Sequence, residues 1–133
     1  MAIQDGSAQF EKKTLTNKEY VDSALQTLIN GQDFTVTKTA NMGSVTIYYA
    51  KRIGNVAIMS FDGGLTTSHG AWQDTDIFTL PFNAYGITNG IGMTNNGIAI
   101  CLRVKNNKVT HRTLNVTNSD DTIRGTLIFP VIE

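Results

Sequence analysis

One cysteine and two prolines in 133 residues are the first constraint on this chain. The lone thiol, Cys101, rules out an internal disulfide framework and any multi-cysteine metal site. So few prolines beside twelve glycines suit strands and tight turns and do not match the composition of a disordered chain. An excess of either charge is missing as well. Eleven Lys and Arg face eleven Asp and Glu, so no bulk attraction to nucleic acid or to an anionic membrane is expected. No run approaches the roughly 18 apolar residues of a membrane span. The opening MAIQDGSAQF has neither the basic start nor the apolar stretch of a secretory signal. The expectation is a chain made in a cytoplasm, with no nucleic-acid partner and no membrane insertion.

What is present begins with one helix. In LTNKEYVDSALQTLING, Thr16 and Glu19 stand in the S/T-x-x-E arrangement that satisfies backbone N–H groups at a helix start, and Asn30-Gly31 supplies the stop. Val21, Ala24, Leu25 and Leu28 recur at i, i+3, i+4 and i+7, while Lys18, Asp22, Ser23, Gln26 and Thr27 take the other face. The spacing predicts an amphipathic helix over about 16–30. A helix this short is marginal alone in water, so its stripe needs the β domain or copies of itself.

The rest reads as strands. Met1 to Leu15 is an extended lead-in anchored by Phe10, and Ala40-Asn41-Met42-Gly43 is read as a connector, so 1–43 forms a stem and 44–133 a β domain. Val45, Ile47 and Tyr49 alternate with Thr46 and Tyr48, and a turn at IGN leads to VAIMSFD, a hairpin signal. DGGLTTSHGAWQDTD, from Asp62 to Asp76, shows no period and reads as one long loop, a common home of function. A short strand ends at Pro81, followed by irregular chain to Gly92. Ile98, Ile100, Leu102 and Val104 share a face of the next strand. KVTHRTLNV follows across Asn106-Asn107, a type I′ turn candidate, and TIRGTLIFPVI closes the chain. Six to eight short strands at regular spacing indicate a sandwich or jelly-roll-like barrel.

Chemistry has few footholds. No G-x-S-x-G, H-E-x-x-H, P-loop or dinucleotide fingerprint occurs in a suitable setting, so neither an enzyme nor a cofactor is expected. Asp62 with Asp74 or Asp76 would suit glycoside hydrolysis or a cation, but turn aspartates also cap loops, and the D-x-D pair lacks the glycine and glutamate of a calcium loop. No metal site is expected. Cys101, on the face opposite the isoleucines, reads as a semi-buried structural thiol. His69 and Trp72 share a glycine-flanked loop. An indole there can stack on a pyranose while Asp62, Asp74 and Arg112 take its hydroxyls, and a lone tryptophan serves equally as a core or edge plug. His111 and Arg112 point to opposite faces of their strand. Asn115-Val116-Thr117 matches a glycosylation sequon with no secretory signal to use it.

Two pieces resemble known proteins. TNKEYVDSAL is similar to N-K-x-Y-V-D-x-A segments of bacteriophage tail fibres and baseplate proteins, ahead of trimeric elements. WQDTDIFTLPFNAYGI, NNGIAICLRVKNNKVT and IRGTLIFPV, in that order, resemble the head domain of receptor-binding proteins of siphophages that infect Gram-positive bacteria. The resemblance implies a homotrimer: a mainly β protein with a helical stem, through Val21, Ala24, Leu25 and Leu28, and a jelly-roll-like head. It also implies attachment in the virion, at the tail tip or baseplate, to host cell-wall saccharide without catalysis, with other tail proteins meeting the N-terminal region. Gly31 to Gly43 leaves no room for an interlaced neck between helix and head. Three other readings stand beside this one: a structural decoration of the baseplate, a small glycan-cleaving enzyme using Asp62 with Asp74 or Asp76, and an unrelated trimeric lectin-like ligand.

Overall fold

The computed structural model describes residues 18–26, 30–113, 117 and 121–132. The chain forms two compact units, Met1–Gln32 and Asp33–Glu133. In the first, helix α1 covers 18–26. Val21 and Leu25 are each 50% exposed and Ala24 is exposed too. Gly31, at φ 73°, follows helical Asn30 in the left-handed conformation expected of a helix stop. Phe10, Thr16 of the capping pair, Leu28 and Asn115 of the sequon lie outside the described residues.

The second unit is a curled antiparallel sheet. Its strands are β1 (Gln32–Asp33), β2 (Thr37–Lys38), β3 (Met42–Ile53), β4 (Val56–Leu65), β5 (Thr75–Thr79), β6 (Asn83–Ala84), β7 (Ile87–Thr94), β8 (Ala99–Lys105), β9 (Lys108–Thr113) and β10 (Thr122–Ile132). They run β1-β3-β4-β10-β7-β8-β9-β5-β2, with β6 beside the end of β10. The protein is therefore mainly β with one short helix, as its composition and periodicity indicate. The boundary expected at 43/44 falls inside β3. Met42, read as part of a connector, is buried at the head of that strand, and β2 already pairs with β5 through Thr37↔Thr79.

Alternation of side chains across each strand explains the core. Ala57, Met59, Phe61 and Leu65 of β4 face inward, as do Ile123, Leu127, Phe129 and Val131 of β10 and Ile100, Leu102 and Val104 of β8. A bulge between Asp76 and Phe78 turns both Ile77 and Phe78 inward, and Phe78 meets Phe61 edge to face, ring centroids 4.8 Å apart. A second bulge, between Ile47 and Tyr49, corrects the expected alternation of β3. Ala50 takes the place of Tyr49 beside Val45 and Ile47 against the core, while Tyr48 and Tyr49 are both exposed.

Three further expectations change. Asp62, Gly63 and Gly64 are not loop but the end of β4, and the loop is confined to the stretch between Leu65 and Thr75. A side chain at Gly63 would overlap Met42 and Val45, which explains the glycine there. The chain before Gly92, expected to be irregular, contains β7, whose apolar residues face out. Ile87, Ile91 and Met93 are exposed, whereas Thr88, Gly90, Gly92 and Thr94 take the inner positions. In the β8–β9 hairpin, Lys105↔Lys108 bracket a two-residue turn in which Asn106 alone has positive φ, 54°. That is the type II′ pattern, not type I′.

Candidate functional site

The loop after β4 is pinned at its base. His69 exchanges backbone hydrogen bonds with Thr117, 3.0 Å in each direction. Gln73 N–H donates to the Gly70 carbonyl, and Gly70 N–H donates to Gln73 Oε1 at 3.1 Å, so the tip is closed by its own groups. Trp72 N–H donates to the Thr113 carbonyl of β9 at 2.8 Å. Anchored there, Trp72 takes φ 63°, a conformation rare for a bulky side chain, and its indole remains 63% exposed. Such strain persists only where surrounding contacts impose it, and it collects at working surfaces.

Beneath the loop, His69 and His111 are buried against each other, ring centroids 5.0 Å apart. His111 Nε2 lies 3.3 Å from His69 Nδ1, and His69 Nε2 lies 3.1 Å from Thr67 Oγ1. The tautomers that leave no bare N–H run one way: His111 Nε2–H donates to His69, and His69 Nε2–H to Thr67. His111 Nδ1 then keeps a lone pair with no partner. Charging His111 would aim a new N–H at nothing. Burial, reinforced by His69 and opposed by Asp74, lowers its pKa to about 4, and burial also lowers that of His69.

Arg112, on the outer face of β9, forms a fork on Asp74: Nε donates to Oδ1 and Nη2 to Oδ2, both at 2.8 Å. Arg103 Nη1 approaches the same carboxylate at 3.8 Å. The Arg112 hydrogen bonds hold Asp74 below the usual carboxylate range, and Asp74 in turn raises the Arg112 guanidinium. The register puts Ile91, Cys101 and Arg112 in one row across β7, β8 and β9, with Asn89 and Arg103 in the next. Trp72 borders this surface, and with Asn89, Ile91, Cys101 and Arg112 it forms an open groove of about 490 Å³, with Gly90, Ala99, Ile100 and Thr113 completing its lining. Ile91 is 81% exposed and Cys101 is exposed, not semi-buried.

Of the residues picked from sequence, Trp72, Asp74 and Arg112 come together. His69 supports them from below and lines a second cleft. Asp62 stands apart on the outer face of β4, 3.5 Å from Arg124 and near Tyr48 and Thr126. Asn89, Ile91 and Cys101 were missed; the parity of Cys101 against Ile100 marked its outward side, but nothing in the sequence set β7 beside it. Among the described residues, no three His, Cys, Asp or Glu converge as a metal requires. No protein-family model matches the chain, and no curated protein matches it.

Proposed function

We propose that this chain is a receptor-binding protein of a phage tail tip or baseplate, holding host cell-surface saccharide in the groove beside Trp72 without catalysis. One observation carries the reading: an exposed indole, held in a strained backbone conformation, stands beside an apolar groove lined by Arg112, whose guanidinium is fixed by Asp74. The ring face and the apolar floor suit the C–H face of a sugar. The fork presents donors and acceptors whose directions are already set, which reduces the ordering needed on binding. The order of the sequence motifs supports the phage setting. Asp74, held ionised by Arg112 and distant in the sheet from Asp62, is poorly suited to the acid role a glycosidase needs.

Trp72→Ala is expected to lower affinity for the bound glycan about tenfold or more and, because the indole is mostly exposed, to leave the folded state intact. Titration of wild type and variant with a glycan found on a bacterial saccharide array measures it. Equal affinity would remove the groove from the reading.

Assembly as a jelly-roll-like trimer is part of the same proposal. Val21 and Leu25 on α1, and Ile87 and Met93 on β7 outside the groove, are exposed apolar side chains, as at subunit interfaces. Trivalency would turn weak sugar sites into firm attachment. Sedimentation is expected to give a trimer, and Val21→Asp with Leu25→Asp to weaken it. A wild-type monomer at micromolar concentration refutes the assembly.

The exposed β7 stripe also favours a second reading, a decoration protein seated on another tail component through Ile91. Purified protein that fails to compete with phage for adsorption would select that reading.

A further inference from the structure

The groove beside Trp72 stands at one end of a longer path over the outer face of the sheet. Its row of Ile91, Cys101 and Arg112 continues past β7. The register Gly125↔Gly92, carried on by one residue, sets Thr126 against Ile91, and Thr126 pairs in turn with Ser60 and Ser60 with Tyr49. From β9 to β3 the row crosses five strand spacings, about 24 Å. At its far end is a second hollow, of about 240 Å³, lined by Tyr48, Ser60, Asp62, Arg124 and Thr126.

This hollow repeats the composition of the first. The bulge between Ile47 and Tyr49 gives the core position to Ala50 and leaves the Tyr48 ring 67% exposed, as Trp72 is left exposed at its positive φ. Bulges of this kind re-aim a side chain, often beside a working site. Arg124 Nη2 lies 3.5 Å from Asp62 Oδ2, the counterpart of Arg112 on Asp74. Between the pair and the ring, Thr126 Oγ1 donates to Ser60 Oγ at 3.2 Å, which leaves the Ser60 hydroxyl hydrogen for a further acceptor.

We infer that Tyr48 is a second stacking platform for the same saccharide, and that the ligand is an extended, uncharged chain lying across the strands from Trp72 to Tyr48. The inference rests on the groove reading and adds to it a length, a direction and a charge. One or two sugar rings cannot reach both aromatics. The arginine at either end already carries a carboxylate, so an anionic chain would gain little from it.

The test uses the full chain and a bacterial saccharide array, followed by calorimetric titration of the best glycan and of a length series cut from it. Affinity is expected to rise about tenfold once the chain is long enough to reach the second ring, the scale of one aromatic anchor. Tyr48→Ala should cancel that rise, leave the shortest bound glycan unaffected and, because the ring is exposed, preserve the melting temperature. Trp72→Ala should weaken every length. Tyr85→Ala removes an equally exposed ring away from the path and should change none of them. A flat length series, a rise that survives Tyr48→Ala, an equal loss with Tyr85→Ala, or dissociation of the trimer by Tyr48→Ala overturns the second platform and leaves the groove standing. An array on which no saccharide binds overturns both.

Discussion

Gly92→Ala is expected to destabilise the protein by about 2–3 kcal/mol, the upper range for forcing atoms into a packed interior. A Cβ at Gly92 would lie 2.6 Å from the Arg124 carbonyl oxygen and 2.9 Å from Ile100 Cγ1. The first obstacle is backbone of β10, the strand that pairs with β7 through Gly92↔Gly125, so relief requires the two strands to part. Two comparisons make the result specific. Gly125→Ala meets Leu102 Cδ1 first, the end of a side chain that can turn, and should be milder. Gly64→Ala meets nothing within 4 Å and should change stability by less than about 0.5 kcal/mol. Urea denaturation of the three variants measures the order, and an equal effect at positions 64 and 92 would contradict it.

Acid is expected to remove about 3 kcal/mol of stability between pH 6.5 and pH 4, the first part of it above the range in which carboxylates titrate. The source is His111, at about 4 in the folded protein against 6.5 for a free imidazole. In that interval the unfolded chain binds a proton that the native site refuses, so stability rises with pH. The contribution is complete above pH 6.5. It falls by about 1.4 kcal/mol for each pH unit below that and is exhausted near pH 4. His69, lowered by burial, adds in the same direction. Asp74 has its pKa below the usual carboxylate value, and its contribution is lost only as pH falls through that lower range. His111→Phe keeps the edge-to-face contact with His69 and should flatten most of the slope. Denaturant midpoints at pH 7.5, 5.5 and 4.5 test this, and a wild-type midpoint constant over that range would refute it. Because the two imidazoles carry the loop of Trp72 and Asp74, glycan affinity of the folded protein should decline only as pH approaches 4, where native His111 takes its proton.

The legible part of the fold was the part where apolar residues face the core. The inward set of β8, and the division of His111 from Arg112, follow from period-two alternation and agree with the structure. The same rule hid β7, because its inner positions are Thr and Gly and its isoleucines point to solvent. Gly63-Gly64 suggested a loop because glycine is rare inside strands. The reason for Gly63 is the packing of Met42 and Val45 over it, a contact set by β3 and invisible within its own segment. Two bulges reversed local parity at Tyr49 and Phe78, where one extra residue exchanges the faces. Trp72, Asp74 and Arg112 could be named singly, but their meeting depends on β5 pairing with β9, which no local pattern encodes.

The outward isoleucines of β7 have a bearing on how this protein can change. In most strands a substitution that alters the surface stands one position from a residue that fills the core, and each side chain answers to one of the two. Here the inner side of the strand is filled by Leu127 and Ile100 reaching over from neighbouring strands onto Gly90 and Gly92. Positions 87, 91 and 93 are therefore released from any part in filling the interior. A lineage can rewrite this face, residue by residue, while the interior of the sheet goes on folding as before.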